Sequence, residues 1–356
     1  MEIQAIHEEK EWRYVSTLLP EDLEESSFRK GALIRRREIP NASALMRMLL
    51  AYGVCDLSLK DVSAWAKALG LAKISGPGFF YRVRESADWL EHVLGQVLED
   101  ELEKNTTGLK LRAVDATVIN GPGAEGIDWR AHVLIDAETG CIRSVELTDR
   151  HGGEKYDRYK FEAEEVVLGD RAYAKAPGIY KVVQAGGHVV VRVNLHGIRL
   201  CNLEGERTDL REQQDKIPNV GERTWNMLLP IPPIDRSTRS HKPWKLEKAE
   251  AWMPVRVVGS RTKYGKPIWI LTTLDVDQAS GVEILKLYRI RWQIELLFKR
   301  LKTLLGLKKL PSGKGPIARS WLLARFLAAA IVQKMVRPVG PLSPWGYELR
   351  GAGAHP

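Results

Sequence analysis

Four residues in the last fifth of the chain, Tyr288, Arg291, Glu295 and Lys302, are spaced 3, 4 and 7 apart. At about 100° per residue they fall within an arc of roughly 60° on a helix wheel. Ile290, Ile294, Leu297 and Leu301 fill another arc of about 60°, nearly opposite. The pattern predicts an amphipathic helix over about Val282 to Leu305. One face packs on a core; the other presents a phenol, a guanidinium, a carboxylate and an ammonium together. A carboxylate flanked by cations suits a site where metal and phosphate meet. The same spacing also serves an ordinary salt-bridged surface helix.

Two aspartates favour the first alternative. Asp115 interrupts an apolar strand, Val114-Asp-Ala-Thr-Val-Ile, where a charge is costly unless paired or metal-bound. Asp170 directly follows Val166-Val-Leu-Gly, at the carboxyl end of a buried strand, where α/β sheets place ligands. For either one alone, a cap or turn role is the commoner explanation; a strand acid, a strand-end acid and a helix acid in that order make a coincidence less common. Breaking a phosphodiester needs an activated oxygen nucleophile and a stabilised leaving oxygen, and two Mg²⁺ ions about 4 Å apart supply both. Hard cations take oxygen ligands, so Asp115, Asp170 and Glu295 are the candidate metal ligands. The eight histidines form no cluster with metal spacing.

Four regions position these residues. Residues 1–105 read as helical. Asn41 or Ser43 caps a helix through Ala51, Ser58-Leu-Lys-Asp61 opens another that stops at Gly70, and a third runs from about Phe79 to Leu102. Helix, glycine turn and helix are compatible with a DNA-reading helix-turn-helix.

From Leu109 the period becomes alternating. Strands are expected at Leu111–Ile119, Trp129–Asp136, Cys141–Thr148, Glu165–Gly169 and His188–Val193, with helical pieces near Lys155–Glu165 and Ala174–Ala185. This describes a mixed α/β sheet. Residues 195–280 read as a β-rich insertion, with strands at Met253–Val258 and Ile268–Leu274. Pro311 to Pro316 forms a linker before a last helical segment.

The chain of 356 residues carries 54 Lys and Arg against 45 Asp and Glu, a net +9. From Gly281 onward there are 14 Lys or Arg and 3 Glu, so that stretch carries +11 and the preceding part −2. Such a field is expected to follow a phosphate backbone. Three scattered cysteines, Cys55, Cys141 and Cys201, exclude a disulfide scaffold and fit a reducing cytoplasm. Met1-Glu-Ile-Gln lacks the pattern of a signal peptide. Trp321 to Val332 is interrupted by Arg325 and reads as a buried helix, not a membrane span.

Taken together, Tyr288-x-x-Arg291-x-x-x-Glu295-x-x-x-x-x-x-Lys302 resembles the Tyr-Arg-Glu-Lys signature of the IS-four-type DDE insertion-sequence transposases. Leu168-Gly-Asp170-Arg-Ala-Tyr173 resembles that family's second-aspartate motif and Ala113-Val-Asp115-Ala-Thr its first. Further likeness lies in Gly31-Ala-Leu-Ile-Arg-Arg-Arg37, Leu45-Met-Arg-Met-Leu-Leu50, Ser58-Leu59 and Asp88-Trp-Leu90. The resemblance covers most of residues 28–310.

The resemblance implies a ribonuclease-H-like catalytic core over 106–194 and 281–310. An N-terminal helical DNA-binding domain over 1–105, the insertion over 195–280 and a short C-terminal helical segment over 311–356 complete the organisation. Asp115, Asp170 and Glu295 become the metal-binding acids for Mg²⁺, with Mn²⁺ as substitute. Arg291, Lys302 and Tyr288 become contacts to the transposon end. The partners are double-stranded DNA, as inverted repeats and as target, and a second copy of the chain in a synaptic complex; the implied setting is the cytoplasmic nucleoid. Cleavage releases a 3′-OH that can form a hairpin and then attack target DNA. A tryptophan of the insertion stacks on a flipped base in relatives; Trp225, Trp244 and Trp252 are candidates. Family members often carry a longer C-terminal helical part than the 54 residues that follow Lys302. The alternatives are a ribonuclease-H-like nuclease or resolvase, and a non-catalytic DNA-binding protein derived from a transposase.

Overall fold

The computed structural model describes residues 2–99, 110–233, 245–304, 306–307, 310–311 and 315–336. Six helices open the chain: α1 (Glu2–Thr17), α2 (Leu23–Arg29), α3 (Ala42–Val54), α4 (Leu59–Ala68), α5 (Gly76–Glu85) and α6 (Ala87–Glu99). Asn41 caps α3 by accepting from the Ala44 N–H, whereas Ser43 accepts from the Trp12 indole at 3.0 Å. Ser58 and Asp61 form the expected capping box on α4. The single helix expected from Phe79 is instead two. Ser86 breaks it, bonding the Arg82 carbonyl through Oγ and the Val83 carbonyl through its N–H, since a short hydroxyl competes with the helical ladder. Leu90, Val93, Leu94 and Val97 are buried as the periodicity requires; Leu102 lies outside the described residues.

One sheet of ten strands follows: β1 (Lys110–Ile119), β2 (Trp129–Asp136), β3 (Ile142–Thr148), β4 (Glu165–Gly169), β5 (His188–Arg192), β6 (Leu200–Cys201), β7 (Arg207–Thr208), β8 (Glu222–Ile231), β9 (Ala251–Arg261) and β10 (Pro267–Thr272). Their order is β3-β2-β1-β4-β5-β10-β9-β8-β6-β7. Strands β1 to β3 are antiparallel neighbours, and β1, β4 and β5 run parallel. Helix α7 (Ala176–Gln184) lies between β4 and β5.

Within the sheet region, one element differs from expectation. The helix expected over Lys155–Glu165 is a single 3-10 turn, Tyr156–Arg158. Its three-residue period keeps Tyr156 and Tyr159 on one side, where both are buried. The strands of the 195–280 region continue the same sheet: β10 pairs with β5, and β9, β8, β6 and β7 follow outward. Strand β8 was not anticipated, because its burial does not alternate cleanly.

The chain closes with α8 (Gly281–Ile290), α9 (Trp292–Leu304) and α10 (Gly315–Val336). The linker is therefore shorter than expected, with Pro316 inside the first turn of α10. Helix α10 is long and apolar enough to cross a membrane, yet it packs against α3, α5 and α6 and most of it is buried. Arg319 pairs with Asp88 and Glu91, and Arg325 with Asp56. These two cations of the basic C-terminal stretch thus tie helices together, a different use from following a phosphate backbone. The last residues, from 337 on, lie outside the described part.

The sheet has a core on each face. Alternation sends Leu111 and Ala113 toward the core shared with α1 to α6 and α8 to α10, and Val114 toward the core shared with α7 and the 3-10 turn. At the end of β1 away from Asp115, buried Arg112 reaches Asp136 on β2 at 2.8 Å and Glu165 on β4 at 2.6 Å. All three cysteines are free.

Candidate catalytic site

Asp115 and Asp170 are neighbours because their strands are. The parallel register sets Ala113 of β1 beside Leu168 of β4, and each chain then runs two residues further to its aspartate. Asp115 shares the face of Ala113, against which α9 packs. Its Oδ1 accepts from the Ala116 N–H at 2.8 Å, and its side chain is 17% exposed. Burial pushes its carboxyl up to about 6, the charges of Asp170 and Glu154 add to the rise, and the Ala116 N–H and Arg291 oppose it. Asp170 also caps a 3-10 turn, Arg171–Tyr173, accepting from the Ala172 N–H at 2.8 Å. Capping and facing Asp115 are compatible, since capping occupies one carboxylate oxygen.

The helical side of the site differs from a continuous helix. Helix α8 opens on a capping box, Ser280 with Glu283, and ends at Ile290. Around Arg291 the bonds shorten to a three-residue span, Arg291 N–H to the Tyr288 carbonyl and Ile294 N–H to the Arg291 carbonyl, both 3.2 Å. Beyond this break α9 is anchored by buried Ile294 and Phe298. Tyr288, Arg291 and Glu295 still converge. The Arg291 guanidinium lies over the Tyr288 ring at 5.7 Å, donates from Nη2 to Glu295 Oε1, and stands 3.6 Å from Asp115 Oδ2. Burial raises the Tyr288 phenol, against the pull of Arg291. Lys302 is half-buried about two turns further along α9.

Sequence reasoning missed the surroundings of this pair. Glu154 lies within electrostatic reach of both aspartates; burial raises its carboxyl and Asp170 adds to the rise. Its loop is clamped by cations on successive carbonyls: Arg130 on Gly152 at 2.7 Å, Arg158 on Gly153 at 2.8 Å and Lys175 on Glu154 at 3.1 Å. Three buried tyrosines surround the pair, Tyr156 within electrostatic reach of Asp170 and Tyr159 and Tyr173 within reach of Asp115; burial drives all three phenols far up. An acid following paired glycines, Gly152-Gly153-Glu154, was the one available signal. Of the insertion tryptophans, Trp225 packs on Trp269 with centroids 5.1 Å apart and Trp252 is exposed, while Trp244 lies outside the described residues.

The donor set suits a hard cation: carboxylate oxygens, like-charged and partly desolvated, whose mutual repulsion a divalent ion would relieve. Among the described residues, however, no three Asp, Glu, His or Cys side chains stand close enough to hold one ion. Glu295 is engaged by Arg291, so an ion shared by all three acids requires that contact to open.

Residues 106–331 match the family described as Transposase DDE domain. The chain is 33% identical over 338 residues to InsL for insertion sequence element IS186A of Escherichia coli strain K12, covering 90% of this chain and 91% of that protein. It is equally 33% identical over 339 residues to the transposase for insertion sequence element IS421 of Escherichia coli, with the same coverage. A piggyBac transposase in a synaptic complex with hairpin DNA aligns with a TM-score of 0.46 and 10% identity, over 83% of this chain and 66% of that one.

Proposed function

Because the chain belongs to the transposases with a DDE domain and is an insertion-sequence DNA transposase of the IS-four type, we propose that Asp115, Asp170 and Glu295 are its three catalytic acids. The observation that carries this reading is the register of β1 and β4, which makes Asp115 and Asp170 neighbours, with Arg291 linking Asp115 to Glu295 across the site. The antiparallel β1 to β3 followed by parallel β4 and β5 support a ribonuclease-H-like core, with residues 195–280 inserted before its last acid.

Bound between these carboxylates, Mg²⁺, or Mn²⁺ in its place, would activate the attacking oxygen and take up charge on the leaving one. The chain's own residues do the rest. Asp115, on β1, and Asp170, directly past the end of β4, offer oxygen donors that the parallel pairing of the two strands brings together. Arg291 exchanges Glu295 for a phosphate of the transposon end, where a bidentate charged pair is strong, and Glu295 is released toward the aspartates. Lys302 and Tyr288 hold the same end. Water attacks the phosphodiester, the bond from phosphorus to the 3′ oxygen breaks, and a 3′-OH is freed. That hydroxyl then attacks a phosphodiester of target DNA and displaces its 3′ oxygen. Residues 1–105 bind the inverted repeats, two copies of the chain hold two ends, and the work takes place on the nucleoid.

The test is cleavage of DNA carrying the element's own ends in Mg²⁺. Glu295→Ala abolishes strand cleavage while end binding persists. Retained cleavage overturns the assignment.

A further inference from the structure

The N-terminal helices carry a surface that the catalytic site leaves unused. On α5, Phe79 and Val83 are buried, and Phe79 packs edge-on against Tyr52 with ring centroids 6.2 Å apart. The opposite side carries Pro77, Phe80, Tyr81 and Arg84, at the i, i+3, i+4, i+7 spacing of a single helical face. All four are exposed, Phe80 by 38% and Tyr81 by 56%. The two rings meet edge to face at 5.7 Å. Arg84 lies over Tyr81 at 5.1 Å and also pairs with Glu85. A rigid helix thus presents two aromatics and a guanidinium to solvent.

Beside this ridge runs the basic loop of the Gly31 to Arg37 motif, which the catalytic chemistry does not absorb. Ala32, Leu33 and Ile39 bury its two ends, leaving Arg35, Arg36 and Arg37 exposed. The loop is stitched to α5 and to the segment that precedes it. Arg82 donates to the Arg35 carbonyl at 3.2 Å, and the Lys73 N–H to the Glu38 carbonyl at 2.9 Å. Arg36 is paired with Glu24. At the start of α5, Lys60 packs against Gly76, and the carboxylate of Glu38, the residue after Arg37, lies beside Gly78.

We propose that this composite surface docks on duplex DNA at the transposon end, with Tyr81 and Arg84 of α5 contacting base edges and Arg35 and Arg37 contacting phosphates. The inference rests on the proposed role of residues 1–105 in binding the repeats and names the surface that does so. Charge and shape argue for a duplex. A helix about 10–12 Å across fits a major groove about 12 Å wide. Arginine matches a guanine edge bidentately, while cations on a neighbouring loop set register on the backbone. The segment between α4 and α5, residues 69–75, is longer than the usual helix-turn-helix turn of about 3–4 residues, so α5 is placed by its packing on Tyr52 more than by a tight turn.

The experiment uses the full chain, a fluorescein-labelled duplex carrying one inverted repeat that flanks the gene, and a scrambled duplex of equal length, over a salt series. Tyr81→Ala with Arg84→Ala weakens repeat binding about 5- to 150-fold and leaves the scrambled duplex nearly unaffected. Arg35→Gln and Arg37→Gln weaken both duplexes alike, each lowering the salt slope by about 1. Parent-like binding by both sets of variants overturns the proposal. So does a change in oligomeric state with DNA affinity intact, which would make the face a contact between copies of the chain. Asp115→Asn separates the two levels: it binds repeats without cutting them. A parent chain that neither binds nor cuts its repeats rejects the proposed function itself.

Discussion

Arg291 stands between two carboxylates of the site: its Nη1 lies 3.6 Å from Asp115 Oδ2, and its Nη2 donates to Glu295. A guanidinium is a permanent cation, so on the proposed assignment it takes, in the DNA-free chain, part of the place of a divalent ion. Arg291→Gln therefore strengthens Mn²⁺ binding by the DNA-free protein, by about fivefold if the contact is worth roughly 1 kcal/mol. It also weakens end cleavage, because the proposed contact of Arg291 with a phosphate of the transposon end is lost. Spin-resonance titration of free Mn²⁺ measures the first effect; an unchanged affinity would show that the guanidinium does not compete.

Asp115 gives a pH signature. Its carboxyl ionises at about 6 in the folded chain against an ordinary 3.8. Below about pH 4 both folded and unfolded chains hold the proton and the group costs nothing. As pH rises the unfolded chain ionises first, and above about pH 6 the buried charge costs roughly 3 kcal/mol, from about two units at about 1.4 each. Asp115→Asn therefore raises the Tm of metal-free protein at pH 7.5 and not at pH 4. Cleavage by the parent falls as pH drops through about 6, where Asp115 gains its proton. A pH-independent Tm difference would refute the shift.

Much of this was legible in the sequence, for physical reasons. Strands β1, β2 and β4 were visible because apolar runs bounded by turns leave little alternative, and the capping box at Ser58 names its own helix. The break at Arg291 was not legible. No Gly or Pro marks it, and the local bonds shorten where Arg291 reaches both Asp115 and Glu295, partners that periodicity cannot supply. Glu154 was missed for the same reason: its place depends on Arg130, Arg158 and Lys175, brought from three separate elements. The continuity of the 195–280 strands with the main sheet is likewise a pairing between β5 and β10 that no local pattern encodes.

At the end of the sheet away from the site, Asp136 is shared by two buried cations, Arg112 and Arg143, and Arg112 alone also reaches Glu165. Arg112 is 4% exposed and bonded to Asp136 and Glu165. Removing one partner of a buried network strands the others. Arg112→Met costs about 3–5 kcal/mol, measured by urea unfolding; a loss below about 1 kcal/mol would mean that the carboxylates find water instead.

Gly169 is required by space. A Cβ there would lie 2.5 Å from the Tyr156 hydroxyl and 3.1 Å from Tyr173 Cβ. Gly169→Ala displaces Asp170, the next residue, costing about 1–3 kcal/mol of stability and sharply lowering cleavage. Gly169→Ala paired with Tyr156→Phe restores part of the stability. Full cleavage by the single variant would show that Asp170 tolerates displacement.

The sharing of one ion site by an acid within a strand, an acid just past a strand end and an acid on a helix is most directly tested by the structure of the chain bound to a repeat duplex with Mn²⁺. The account predicts anomalous density between Asp115 and Asp170, with a Glu295 oxygen within about 2.0–2.6 Å of a metal and Arg291 moved onto a DNA phosphate. Mn²⁺ and DNA bound while Glu295 remains on Arg291, away from the metal, would contradict it.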